Sequence, residues 1–210
     1  VNDDGTGDLL VGAMGVGYPG RSIGGATYVV LGPLSSGRLE AFQEADATLF
    51  GIDRGDPSGG GAEVGDLNND GVDDIIIGAQ WGDVPAGEDA GEAYVVFGPV
   101  GANVLELSTE ADVTYTGANR RDLSGGGVAV GDLDNDGTQD LIIAAGLADG
   151  GGKENSGTVY VIFGESSPSP MSADSGGLSA LQVALIALVV FLVITPVAYW
   201  WVRRQPSNAD

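Results

Sequence analysis

The sequence predicts an all-β chain: a partial β-propeller of four-stranded antiparallel blades, about two and a half of them present, then a linker and one transmembrane α-helix. Three observations predict it. A period of 66 residues repeats without insertion or deletion, each full period holds four short apolar runs between turn residues, and one long uncharged segment lies near the C-terminus.

The period is carried by several markers. GGGAEVGDLNNDGVDDIIIGA from Gly59 recurs as GGGVAVGDLDNDGTQDLIIAA from Gly125, and NDDGTGDLLVGA from Asn2 is a partial first copy. Tyr28, Tyr94 and Tyr160 keep the same step inside GGATYVVLGP, AGEAYVVFGP and SGTVYVIFG, as do DATLFG from Asp46 and DVTYTG from Asp112. Low-complexity sequence does not hold such markers in phase, so the 37 glycines belong to turns. The repeats divide the chain into a partial copy over 1–33 and further copies over 34–99 and 100–164.

Within one period, strands are predicted around 62–65, 74–78, 93–97 and 113–116, all β-branched, aromatic or apolar runs. Ten strands follow for the whole chain, and no segment before residue 178 has helical periodicity. A four-stranded meander cannot bury both faces alone, so consecutive copies stack as blades. Closed propellers need roughly four to eight blades, so the remaining blades are expected from a missing N-terminal segment.

Beyond the repeats, 165–177 is a Ser/Pro/Gly-rich linker. Residues 178–202 are uncharged and long enough for a helix to cross a bilayer, which takes about 20 residues. Tyr199, Trp200 and Trp201 sit where an interfacial belt belongs, and Arg203 and Arg204 follow. The expectation is a single-pass cell-membrane protein, with the repeats extracellular and 203–210 as a cytoplasmic tail.

Composition excludes whole classes of chemistry. With no Cys and no His, the chain has no disulfides, no Cys/His zinc site and no Cys- or His-centred catalytic machinery. Its 30 Asp and Glu against 8 Lys and Arg give a formal charge of -22, which repels nucleic acid and suits hard cations.

That acidity concentrates in two full loops and one partial loop. In Asp66–Asp74, the residues Asp66, Asn68, Asp70 and Asp74 occupy the first, third, fifth and ninth positions, and Val72 offers its carbonyl at the seventh. Asp132, Asp134, Asp136 and Asp140 repeat this arrangement with Thr138 at the seventh, and Asn2, Asp4, Thr6 and Asp8 remain of the first copy. Gly71 and Gly137 hold the sixth position, where the turn favours positive φ. The twelfth positions are Ile77 and Ile143 inside strand-like runs, so these loops join strands and lack the closing Glu and helix of an EF-hand. Calcium is the predicted cofactor; the competing reading is an acidic, solvated Asx turn.

Together these features resemble the FG-GAP repeats of integrin alpha-subunit propellers and their prokaryotic relatives. The resemblance rests on the DxNxDGxxD-type loops, the strands ending IIIGA and LLVGA, and YVVFGP with YVIFG, and it covers residues 1–164. It implies a propeller of about seven blades with calcium in the loop between the first two strands of a blade. It also implies partner binding on the opposite face, built here from 14–24, 80–90 and 146–156 and the inter-blade loops 52–58 and 118–124. Three departures stand out: too few blades, no separate ligand-binding domain inserted, and a first loop cut before its first ligand.

The function expected is a calcium-binding, membrane-anchored surface module that binds an extracellular protein or glycan and is not an enzyme. Two alternatives stay open: a structural envelope protein without a specific ligand, and the non-catalytic C-terminal part of a larger surface enzyme. Nine acidic residues lie at ligand positions, and the surplus predicts a halophilic setting, where salt screens self-repulsion.

Overall fold

A computed structural model describes residues 1–17, 24–51 and 57–164. The strands are β1 (Leu9–Ala13), β2 (Ala26–Val30), β3 (Ala47–Phe50), β4 (Gly61–Gly65), β5 (Asp74–Ala79), β6 (Glu92–Val96), β7 (Val104–Glu106), β8 (Val113–Thr116), β9 (Ser124–Gly131), β10 (Asp140–Ala145) and β11 (Thr158–Ile162). Two short helices, α1 (Ala41–Glu44) and α2 (Leu107–Glu110), precede β3 and β8.

These strands form three sheets, ordered β1-β2-β3-β7, β4-β5-β6-β8 and β11-β10-β9. The second sheet is the predicted meander, all antiparallel, with Ile77 opposite both Ala62 and Tyr94. The first sheet is antiparallel through β1, β2 and β3, but its outer edge is β7, borrowed from the next repeat and parallel to β3. The all-β prediction therefore holds, and among the described residues no barrel closes.

The apolar run of β5 explains why the sheets stack. Alternate side chains of a strand point to opposite faces. Ile75 and Ile77 share a core with Val29 and Leu49 of the first sheet, while Ile76 joins Leu141 and Ile143 of the third. All three isoleucines are fully buried, each contributing about 1.5–3 kcal/mol relative to exposure. A strand covered on both faces reads as a continuous apolar run, which is what Asp74–Ala79 shows after its first residue.

Glycine sets the approach between neighbouring sheets at one repeated position. A Cβ on Gly12 would stand 2.2 Å from the Gly59 carbonyl oxygen, and one on Gly78 would stand 2.1 Å from that of Gly125. Only glycine lets the following repeat's backbone come this close.

The membrane assignment is corrected. Among the described residues no helix is long and apolar enough to cross a membrane: α1 and α2 have four residues each, against about 20 for a span. The expected single-pass localisation and the membrane contact through one C-terminal helix therefore have no support in the described fold. The linker 165–177, the segment 178–202 and the tail 203–210 lie outside the described residues.

Candidate metal centre

The loop Asp66–Asp74 joins β4 to β5, and Asp132–Asp140 joins β9 to β10, so both are hairpin loops as expected. The sixth-position glycines have φ of 92° at Gly71 and 90° at Gly137, the left-handed region that the turn requires. Asn69 and Asn135, at the fourth position, are also left-handed, with φ of 56° and 62°. Asn is one of the few side chains that tolerates this conformation.

Each loop is organised by its own carboxylates. Asp66 accepts the N–H groups of Asp70 and Gly71 at 3.0 and 2.9 Å, and Asp132 accepts those of Asp136 and Gly137 at 3.1 Å each. Asn68 Oδ1 accepts Asp70 N–H at 3.0 Å, and Asp134 Oδ1 accepts Asp136 N–H at 3.2 Å. Asp70 accepts Val72 N–H at 2.8 Å, and Asp136 accepts Thr138 N–H at the same distance. In the partial loop, Asp4 accepts Thr6 N–H at 2.8 Å and Asn2 Oδ1 accepts Asp4 N–H at 3.3 Å. These bonds turn side-chain oxygens at the first, third and fifth positions toward one region.

In the third copy the convergence is direct. One carboxylate oxygen from each of Asp132, Asp134 and Asp136 lies within 4.8 Å of the others, and all three residues are exposed. In the second copy Asn68 replaces the middle carboxylate, and its amide Nδ2 donates to Asp70 Oδ2 at 2.9 Å. The Thr138 hydroxyl also donates to Asp136 Oδ1, as the Thr6 hydroxyl donates to Asp4 Oδ1. These hydroxyl bonds, with the threonine N–H groups, hold both carboxyls below the usual carboxylate range.

The ninth-position aspartates are placed differently. Asp74 and Asp140 are fully buried. Asp74 accepts the N–H groups of Leu67 and Gly98, both at 3.0 Å, and Asp140 accepts those of Leu133 at 2.7 Å and Gly164 at 3.0 Å. Asp8 repeats the brace with Gly32 N–H at 2.9 Å. Each carboxylate thus ties its loop to the chain leaving the third strand. Burial pushes the Asp74 carboxyl up, against the lowering effect of its two N–H donors. Every carboxylate oxygen that accepts one N–H keeps a second lone pair. The donor set therefore fits a hard, oxygen-seeking divalent cation, with the carbonyls of Val72 and Thr138 as the remaining protein oxygens.

A second braced loop escaped sequence reasoning. On the far ends of the same sheets, Asp83 Oδ1 accepts Asp89 N–H and Asp149 Oδ1 accepts Asn155 N–H, both at 2.9 Å. Both pairs are in step with the repeat, and Asp89 and Asn155 have φ of 54° and 49°. The recurrence of an Asp six residues before a left-handed Asp or Asn was the available signal. Beside it, Asn119, Arg121, Asp122, Asp149 and Asn155 line an open polar cleft, and Arg120 pairs with Glu88. Residues 18–23 and 52–56, parts of the expected partner face, lie outside the described residues.

The fold and the loops define a tandem array of β-sheet repeats, each full repeat carrying an acidic hairpin loop. The chain carries two FG-GAP repeats, at residues 58–96 and 124–162. It is 33% identical over 159 residues to the phosphatidylinositol-glycan-specific phospholipase D of Rattus norvegicus, covering 73% of this chain and 18% of the relative. The Bos taurus protein of that name is 33% identical over 170 residues, covering 80% and 20%, and the Homo sapiens protein 31% over 157 residues, covering 73% and 18%. The chain thus spans about a fifth of the length of these curated relatives.

Proposed function

We propose that residues 1–164 are part of a calcium-stabilised β-propeller, a non-catalytic module that binds a protein or glycan through the loops opposite its metal sites. Calcium is held by Asp66, Asn68, Asp70 and Asp74 with the Val72 carbonyl, and by Asp132, Asp134, Asp136 and Asp140 with the Thr138 carbonyl. Asn2, Asp4, Thr6 and Asp8 contribute to a further site. The observation that carries this reading is the convergence of Asp132, Asp134 and Asp136 within 4.8 Å. Three like charges so close repel strongly unless a cation offsets them. Calorimetric titration of the intact chain with calcium tests it: binding is expected, with Asp70→Ala and Asp136→Ala each removing one site. Heat of dilution alone would reject the reading.

The relatives favour a more specific form of this reading. They are named as phospholipases D specific for phosphatidylinositol glycan, and the similarity spans only about a fifth of them. On that reading the chain is a non-catalytic part of such a larger enzyme, in keeping with a sequence that has no His and no Cys. Capture experiments with and without calcium separate a binding module from a purely structural one. A protein or glycan retained only with calcium supports binding, and none under either condition supports the structural alternative.

A further inference from the structure

At the end of the sheets opposite the acidic hairpins, the loop after β8 and the loop between β10 and β11 enclose the polar cleft, about 500 Å³ in volume. Its walls are held in place from within. Asp122 is 5% exposed, and its Oδ2 accepts the backbone and side-chain N–H groups of Asn119 at 3.0 and 3.1 Å. The Asp122 carbonyl accepts Leu147 N–H at 3.1 Å, which ties one wall to the other. Asp149 is fixed through Oδ1 by Asn155 N–H at 2.9 Å. In both aspartates the second oxygen accepts no hydrogen bond among the described residues.

Two further observations fall on the same cleft. Arg121 has φ of 65°, the left-handed region, and one repeat earlier its place is taken by Gly55. A large side chain kept where glycine would sit without strain points to a use for that side chain. The sequence also repeats the cleft's other polar positions. Asp53, Arg54, Asp56, Asp83, Glu88 and Asp89 stand one period before Asn119, Arg120, Asp122, Asp149, Glu154 and Asn155. The Asp–Asn pairs brace their own loops, and Glu88 pairs with Arg120. Glu154 has no such duty: neither it nor Arg121 forms an ion pair among the described residues.

The open groups set the chemistry of a ligand. Asp122 Oδ1, Asp149 Oδ2 and the Glu154 carboxylate can accept, while the Arg121 guanidinium and the Asn155 amide can donate. Three carboxylates against one unpaired guanidinium repel an anion. Leu147 is the one apolar side chain of the lining, too little for the buried apolar anchor that a protein partner needs. Neighbouring hydroxyls on a ring, each both donor and acceptor, satisfy the carboxylates and the guanidinium together. We propose that this cleft binds one neutral hexose ring of a glycan. The inference rests on the reading that the loops opposite the metal sites face a partner, and it narrows that partner to a glycan.

Saturation-transfer NMR on the intact chain in calcium tests it with the methyl glycosides of glucose, galactose and mannose, and with methyl glucuronide as the acidic counterpart. At least one neutral glycoside is expected to bind in the millimolar range, and the glucuronide about tenfold more weakly. Arg121→Gly and Glu154→Gln should each weaken the neutral glycoside by about tenfold or more. Arg121→Gly installs the residue of the preceding repeat and relieves the left-handed strain, so its melting temperature should not fall. No binding by any neutral glycoside, equal or tighter binding of the glucuronide, or binding that neither substitution weakens would overturn the inference. A blocked Gly-Arg-Gly tripeptide that binds, and is lost in Glu154→Gln, while no glycoside binds would assign the cleft to a protein partner. That outcome overturns the glycan and leaves the broader reading standing, and calcium titration of the acidic loops succeeds or fails separately from both.

Discussion

The acidic loops of the second and third repeats share one backbone and differ at three positions, Asn68 against Asp134, Val72 against Thr138 and Asp73 against Gln139. In the second, Asn68 donates its amide to Asp70 and Val72 adds no hydroxyl. In the third, Asp134 brings a third carboxylate to within 4.8 Å of Asp132 and Asp136, and the Thr138 hydroxyl binds Asp136. The turn is thus fixed by main-chain bonds common to both, while the charge it presents is set separately. At the first, third and fifth positions the second loop presents two carboxylates, and the third presents three for a cation to offset.

The largest expected effect concerns what the loops share. Asp74→Ala and Asp140→Ala each strand two backbone N–H groups at a buried position, so each should cost about 3 kcal/mol in chemical denaturation, with or without calcium. A much smaller loss for either would mean that its buried carboxylate does not brace the loop.

Next comes the exchange of the third-position residue. Asp134→Asn should weaken calcium binding at the third loop by about tenfold, and Asn68→Asp should strengthen the second by a similar factor, both read by calorimetry. If neither changes affinity, the third position does not contribute charge to the site.

Thr138→Val should have the smallest effect. The hydroxyl helps hold the Asp136 carboxyl below its ordinary value of 3.8, so its stabilising contribution is fully present above that pH and is lost as pH falls through the lower folded value. In chelator, the melting difference between the native chain and Thr138→Val should therefore be constant near neutrality and shrink at acid pH below 3.8. A difference that grows on acidification would reverse the sign of this account.

Much of this was legible because the repeat is strict. Glycine at the sixth position, oxygen side chains two residues apart and an apolar run such as Ile75–Ile77 state a hairpin loop entering a strand covered on both faces. What stayed hidden depends on neighbours. β7 is three residues long and is a strand only because β3 runs beside it, while α1 and α2 are too short to show a helical period. The brace made by Asp74 and Asp140 needs Gly98 and Gly164, which are 24 residues away in sequence. A ligand pattern alone does not distinguish an exposed Asp136 from a buried Asp140.

Thermal melting of the intact chain in saturating calcium and in chelator shows directly whether the acidic loops hold a stabilising ion. A ligand held only by the folded state raises stability by about 2.7 kcal/mol at a hundred times its dissociation constant. A higher melting temperature is expected with calcium, and a smaller rise when Asp136→Ala removes one ion. Identical melting in calcium and chelator would contradict it.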